Sequence, residues 1–227
     1  MKKLEISKKD LEYNLAEINN IINGNNVQII AVVKANGMGL DLVKYSKFLV
    51  QNGIKILGVA NIYEAIKLRE ANIKEEILML SPVSLKNELK LLVENDITVT
   101  IGSYEEIKLL EEICENLGKN AKSHIKIDTG FGRYGFLYTD KEIILETFKF
   151  ANKVNICGIF THFSNAINEK DTKLQFNRFM DIVEFLENNG YYIENKHCSA
   201  STAFLKYPQM MLDSVRLRFC NSRKNIN

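Results

Sequence analysis

The chain has 227 residues, 46% of them apolar, and 30 basic against 28 acidic side chains give a formal charge of +2. That length suits one large domain or two small ones and is enough to bury a core. Acids and bases are interspersed, which excludes the strong field that would draw a protein to nucleic acid or to an anionic membrane.

In chain order, helix-period and short apolar segments alternate. The spacing predicts a helix over residues 7–22, with Ser7 as cap and Leu11, Leu15, Ile18 and Ile22 as one stripe. Strands are predicted at 28–33, 56–60, 77–80, 97–101, 124–128, 156–162, 192–197 and 212–217. Helices fall between them at 42–51, 63–71, 85–94, 104–117, 141–152 and 172–188, with a short one at 202–205 cut off before Pro208. Asn52-Gly53, Gly118 and Gly190 read as helix stops. Eight strands separated by helices imply parallel pairing through right-handed crossovers, hence an α/β fold, a (β/α)8 TIM barrel. An open doubly wound sheet is the competing arrangement. No linker, low-complexity tract or repeat marks a second domain.

Cys114, Cys157, Cys198 and Cys220 are far apart, form no C-x-x-C pair, and sit in or beside apolar segments. They read as small buried thiols of a reducing compartment rather than as a metal site. The N-terminus has no apolar run after its lysines, and no segment approaches a membrane span, so a cytoplasmic soluble protein is expected.

In the stretch QIIAVVKANGMGL, an unbroken apolar run ends in Lys34 and a loop with two glycines. A buried parallel strand delivers a side chain to a site in this way. An amine at the mouth of an apolar environment loses solvation of its charged form and becomes a nucleophile towards carbonyl groups. The plainer alternative is a strand-end lysine reaching solvent. In a barrel, catalytic groups come from the C-terminal strand ends. Those ends carry Lys34, Asp128, Arg133, His162, His197, Ser201 and Arg216. The segment GFGRYG fits G-x-G-x-x-G, but it lies in the fifth unit and the next helix begins well after its third glycine, so it does not read as a dinucleotide site. It reads as a bend that brings Arg133 over the rim, where a guanidinium fork can hold a carboxylate.

Four segments in order, VVKANGMG, KIDTGFGRYGF, GIFTHFSNA and MLDSVR, resemble the motifs of the alanine racemase family, barrel enzymes that use pyridoxal 5′-phosphate. The resemblance runs from Met1 to about Arg216 and implies an amino acid racemase. L-alanine to D-alanine, for cell-wall peptidoglycan, is the leading reaction. It implies that Lys34 forms the Schiff base with the cofactor and acts as base on one face of Cα. Arg133 would lie near the substrate carboxylate and the cofactor's phenolic oxygen, and Lys126 matches a lysine that some members carry as a carbamate. Arg216 would face the pyridine nitrogen, His162 would brace Arg216, and Ser201 would help hold the phosphate. The implied partners are a small amino acid substrate and, in the intact family, a second copy of the chain; neither nucleic acid nor membrane is implied.

Several positions depart from the pattern. Met38 stands where the family usually has tyrosine, and His197-Cys198-Ser199-Ala200-Ser201 lacks the asparagine of H-x-x-N-S. After Arg216 the family has a glycine-containing stretch, whereas this chain reads Leu217-Arg218-Phe219-Cys220 and ends at Asn227. Residues 1–217 therefore read as the cofactor-binding barrel and 218–227 as an aberrant or truncated tail, which can be back-translated to a shifted frame resembling the family. The C-terminal β-domain, with its opposite-face tyrosine, is expected to be missing and racemisation impaired. A non-catalytic single-domain barrel that only carries pyridoxal phosphate is the alternative.

Overall fold

The computed structural model describes residues 6–22 and 26–219. Helix and strand alternate throughout: α1 (Lys8–Ile22), β1 (Gln28–Val32), α2 (Leu42–Gln51), β2 (Ile56–Val59), α3 (Ile62–Glu70), β3 (Glu76–Met79), α4 (Lys86–Glu94), β4 (Val99–Ile101), α5 (Tyr104–Leu117) and β5 (Ala121–Asp128). There follow α6 (Lys141–Phe150), β6 (Val154–Phe160), α7 (Glu169–Asn188), β7 (Asn195–His197), α8 (Ser201–Lys206) and β8 (Ser214–Leu217). A turn at Lys34–Met38, a two-residue strand Phe136–Leu137 paired with β5, and a 3-10 turn at Pro208–Met210 complete the path.

All strand pairs are parallel, in two runs of order β3-β2-β1-β8 and β4-β5-β6-β7. Isolated parallel bridges, Leu78 to Thr98 and Ala200 to Arg216, join the runs at both seams. The eight strands thus run round a (β/α)8 barrel rather than an open sheet, because the first and last are neighbours and the two remaining edges meet.

Local chemistry sets the ends of the elements. The side chains of Asn61, Ser103 and Asn168 accept from the amides of Glu64, Glu106 and Asp171 and so cap α3, α5 and α7. Gly118, at φ 63°, closes α5 in the left-handed conformation. Two strands start three residues away from their expected positions. β5 starts earlier than His124, because Ala121, Lys122 and Ser123 alternate buried, exposed and buried while pairing with β6. β7 is shorter, because Tyr192 is 83% exposed and lies before the paired residues.

Alternation along the strands separates two layers. Outward residues such as Ala31, Leu57, Ile77, Ile125 and Val215 pack with the helices in one large core, while Ile30, Ile56 and Leu78, with Leu80, form a separate cluster. The register sets Ile30 beside both Ile56 and Arg216, so that small cluster belongs to the barrel interior. On the other side of the interior the buried residues are mostly polar, Thr100, His124, Lys126, His197 and Arg216, with Phe160 packed among them. A barrel lumen is usually filled by branched apolar side chains. This polar half is what builds the site.

Candidate active site

At the C-terminal ends of the strands lies a cavity of about 340 Å³ lined by Lys34, Arg133, His162, Ser201 and Arg216, together with Tyr134 and Arg218. Five of the seven strand-end positions singled out from the sequence are therefore brought to one chamber, while Asp128 and His197 are not among its lining residues. Met38 is not among its lining residues.

Lys34 follows β1 and is half-buried. The chain then leaves the strand in a left-handed turn, with Ala35, Asn36, Gly37 and Met38 at φ 55°, 53°, 65° and 57°. Each L-residue in that region costs about 1–2 kcal/mol, so the turn needs support. Glu64 gives it: one carboxylate oxygen accepts from Asn36 N at 3.2 Å and the other from Ala60 N at 3.2 Å. The Asn36 side chain accepts in turn from Leu42 N at 3.1 Å. The Lys34 amine is held below its ordinary pKa, first by burial, then by the charges of Arg218 and Arg133, against the opposing pull of Glu64.

After β5 the chain folds back over Asp128. Its carboxylate accepts from the amides of Gly130, Phe131, Gly132 and Arg133 at 2.8–3.2 Å. Burial alone would raise the pKa of Asp128, but these amides and the charge of Lys126 outweigh it and hold the group low. The glycine-rich amides are spent on a protein carboxylate, which is the physical reason the G-x-G-x-x-G pattern is no phosphate cradle. Gly135 has φ 115°, and a Cβ there would lie 2.7 Å from the Lys126 carbonyl oxygen. Arg133 packs on Phe131 with its guanidinium carbon 4.5 Å from the ring centroid, and its Nε is buried without a hydrogen-bond partner.

Arg216 is 5% exposed and densely held. Nη1 donates to His197 Nδ1 at 2.6 Å and to the His197 carbonyl at 3.0 Å. Nη2 donates to the carbonyls of Thr161 (2.7 Å) and Cys198 (3.1 Å) and reaches His162 Nδ1 at 3.2 Å. Behind it, His197 Nε2 meets His124 Nδ1 at 2.9 Å. Burial lowers the Arg216 pKa to about 10, which leaves it charged at neutral pH. His124 and His162 are pushed down to about 3, by burial first and then by Arg216, and His197 is likewise held far below the usual imidazole range.

Lys126, on β5 beneath the cavity, is 1% exposed and donates to the carbonyls of Ile127 (2.7 Å) and Tyr134 (3.3 Å). Burial lowers its pKa to about 7, Asp128 opposes this, and Arg216 and Arg133 add to it. Ser201 opens α8, and its hydroxyl faces the Arg218 amide at 3.5 Å. Phe219 packs in the core, and residues 220–227, including Cys220 and most of the tail expected to be aberrant, lie outside the described residues. Among the described residues Cys114 and Cys198 are buried, Cys157 is partly so, and none forms a disulfide.

The family model for the N-terminal domain of alanine racemase matches residues 6–217. The chain belongs to the alanine racemase family. It is 39% identical to the alanine racemase of Methanococcus maripaludis, over 93% of this chain and 57% of that one, and 40% identical to that of Clostridium tetani, over 93% and 55%. The alanine racemase of Clostridium difficile 630 in complex with cycloserine superposes with a TM-score of 0.88 at 31% identity, covering 92% of this chain and 58% of its own. The chain thus spans little more than half the length of the alanine racemases it matches. No helix among the described residues is long and apolar enough to cross a membrane.

Several parts of the site were not read from the sequence as contributors to it, among them Glu64, His124, and the lining residues Ser81, Tyr134, Thr202 and Arg218. Glu64 had a legible signal, since Asn61-Ile62-Tyr63-Glu64 carries a cap and an acid at capping-box spacing, as does Ser103-Tyr104-Glu105-Glu106. His124 had none, because its partner His197 is 73 residues away.

Proposed function

We propose that the cavity holds pyridoxal 5′-phosphate and an amino acid, and that the chain handles the proton at Cα as alanine racemases do, with alanine the leading substrate. The observation that carries this reading is the charge and chemistry of one chamber. A half-buried amine of lowered pKa, Lys34, stands among Arg133, Arg216 and Arg218, with the hydroxyls of Ser81, Ser201 and Thr202 and an unpartnered Arg133 Nε. Such a set fits a dianionic phosphate and a carboxylate together with an aldehyde.

When bound, the cofactor supplies a ring that takes up negative charge left at Cα. Lys34 would be the nucleophile towards its aldehyde and would serve as the base on one face of Cα. Arg133 offers Nε and the guanidinium fork to the substrate carboxylate, held in place by the Asp128 loop. Arg216 has its two terminal nitrogens engaged by protein acceptors, which leaves Nε–H for the ring nitrogen; as a group that keeps its protons, it donates without protonating that nitrogen. Ser201 contributes its hydroxyl to the phosphate. Lys126, an amine of lowered pKa below Arg133, is the carbamate candidate, since an anion there would offset its two arginine neighbours.

A base on the opposite face is needed for full racemisation. The resemblance assigns it to a tyrosine of the family's C-terminal domain, which is distinct from the N-terminal domain matched by residues 6–217, so the barrel supplies the base on one of the two faces. Borohydride reduction after incubation with pyridoxal phosphate is expected to leave a phosphopyridoxyl group on the Lys34 peptide, with water lost on condensation and two hydrogens gained on reduction, and Lys34→Ala is expected to lose it. Labelling of some other lysine, or of none, would remove the reading.

A further inference from the structure

We infer that His124 is a positioning residue that fixes the tautomer of His197 and, through it, the seat of Arg216 at the floor of the cavity. The proposed function enters only in saying what Arg216 faces. A guanidinium has no lone pair to offer, so at the 2.6 Å contact Arg216 Nη1 donates and His197 Nδ1 accepts. A neutral imidazole with a bare Nδ1 carries its proton on Nε2, and that proton meets His124 Nδ1 at 2.9 Å. His124 Nδ1 is then an acceptor as well, with its own proton on Nε2. Arg216 thus sets the direction of both hydrogen bonds, and His124 supplies the buried acceptor that lets His197 keep that tautomer. The opposite arrangement would set two donors against each other at 2.6 Å.

The strands around His124 are shaped to receive its ring. Gly158, directly across on β6, leaves space that a Cβ would fill at 2.4 Å from the imidazole. The β5–β6 register shifts at Ser123/His124, leaving Cys157 without a partner on β5, and such a bulge re-aims the neighbouring side chain. Phe160 stacks on His197 with ring centroids 4.8 Å apart and planes 4° apart, which fixes the plane of the middle ring. His124 also lines a second cavity, at the N-terminal ends of the strands, together with Glu76, Lys122 and Asp213. The chain Arg216–His197–His124 therefore crosses the lumen from the upper cavity to the lower one. Without His124, the Nε2–H of His197 would be a buried donor lacking an acceptor. The ring can relieve that only by turning or by moving its proton, and either change withdraws the acceptor from Arg216.

His124, His162 and His197 are the chain's three histidines. Labelling histidine with nitrogen-15 in the full chain therefore gives three imidazole patterns, and long-range proton–nitrogen correlation reads each tautomer. His124 and His197 are expected to be neutral with the proton on Nε2. In His124→Leu the His197 nitrogen shifts are expected to move and pyridoxal phosphate affinity to fall about tenfold, the lower end of the loss typical of outer-shell partners. His124→Asn, which sets an amide oxygen near the Nδ1 position, is expected to restore both. A proton on His197 Nδ1 in the unsubstituted chain would overturn the inference even if His124→Leu fails to fold. So would a His124→Leu protein of lower thermal midpoint whose His197 shifts and cofactor affinity stay as they were. If the unsubstituted chain binds no cofactor, the proposed function falls while the nitrogen shifts still decide the tautomer.

Discussion

Asp128 illustrates how one side chain can organise the site without lining it. It answers four amides of the loop that carries Arg133 and lies close enough to Lys126 to support the charge of that buried amine. Replacing it with alanine leaves those amides without their acceptor and is expected to cost about 3 kcal/mol in urea unfolding, since hydrogen bonds to a charged group contribute about 1.5–3 kcal/mol each and water can replace part of them. Asp128→Asn keeps an oxygen but removes the charge. Its cost is expected to be smaller, and the Lys126 pKa should fall further, which carbon-13 detection of the labelled lysine can read. An Asp128→Ala protein as stable as the parent would show that the loop is held by something else.

At the scale of elements, the βα loops carry the strain and the strands carry the framework. The loop after β5 holds Gly130, Gly132 and Gly135 at positive φ, but their surroundings differ. At Gly132 a Cβ would meet nothing within 4 Å, whereas at Gly135 it would lie 2.7 Å from a backbone oxygen of Lys126. Gly132→Ala is expected to cost about 1 kcal/mol, the conformational term alone. Gly135→Ala is expected to cost at least about 3 kcal/mol and to weaken cofactor binding, because relieving the clash displaces the loop bearing Arg133 or the strand bearing Lys126. Equal midpoints for the two variants in urea would show that the close approach to Lys126 carries no weight. The left-handed turn after Lys34 follows the same logic, with Glu64 and Asn36 supplying the hydrogen bonds that keep it.

Across the whole molecule, the polar half of the lumen sets the response to acid. His124, His162 and His197 stay neutral in the folded protein far below pH 6.5, the range in which the unfolded chain takes up their protons. Between those limits the unfolded state binds more protons, so stability is intact above pH 6.5 and declines as the pH falls. The slope reaches about 1.4 kcal/mol per pH unit for each histidine. Asp128, with its pKa lowered, acts in the same direction: its contribution is present above the ordinary carboxylate pKa and is lost on further acidification. The thermal midpoint followed by circular dichroism is expected to drop steeply between about pH 6.5 and about pH 4.5. A flat profile over that window would mean that the histidines are charged, or reach water, in the folded state.

The sequence by itself determined the order of the elements and narrowed the fold to a barrel or an open doubly wound sheet, because outward strand faces and helix stripes follow the periods 2 and 3.6 that local pattern exposes; the pairing of β1 with β8 and the meeting of the other two edges decided for the barrel. It also determined the position of Lys34 at a strand end, the shortened helix before Pro208, and the clustering of Arg133, His162, Ser201 and Arg216 at one rim, since strand ends of a barrel converge by construction. Only the tertiary structure decided what holds those groups. The clamp of Glu64 on the turn after Lys34 spans 28 residues, and the contact of His124 with His197 spans 73. Interior residues of β5, β7 and β8 are polar, so no hydrophobic rhythm announced them; they are stable there because closure of the barrel places donor against acceptor.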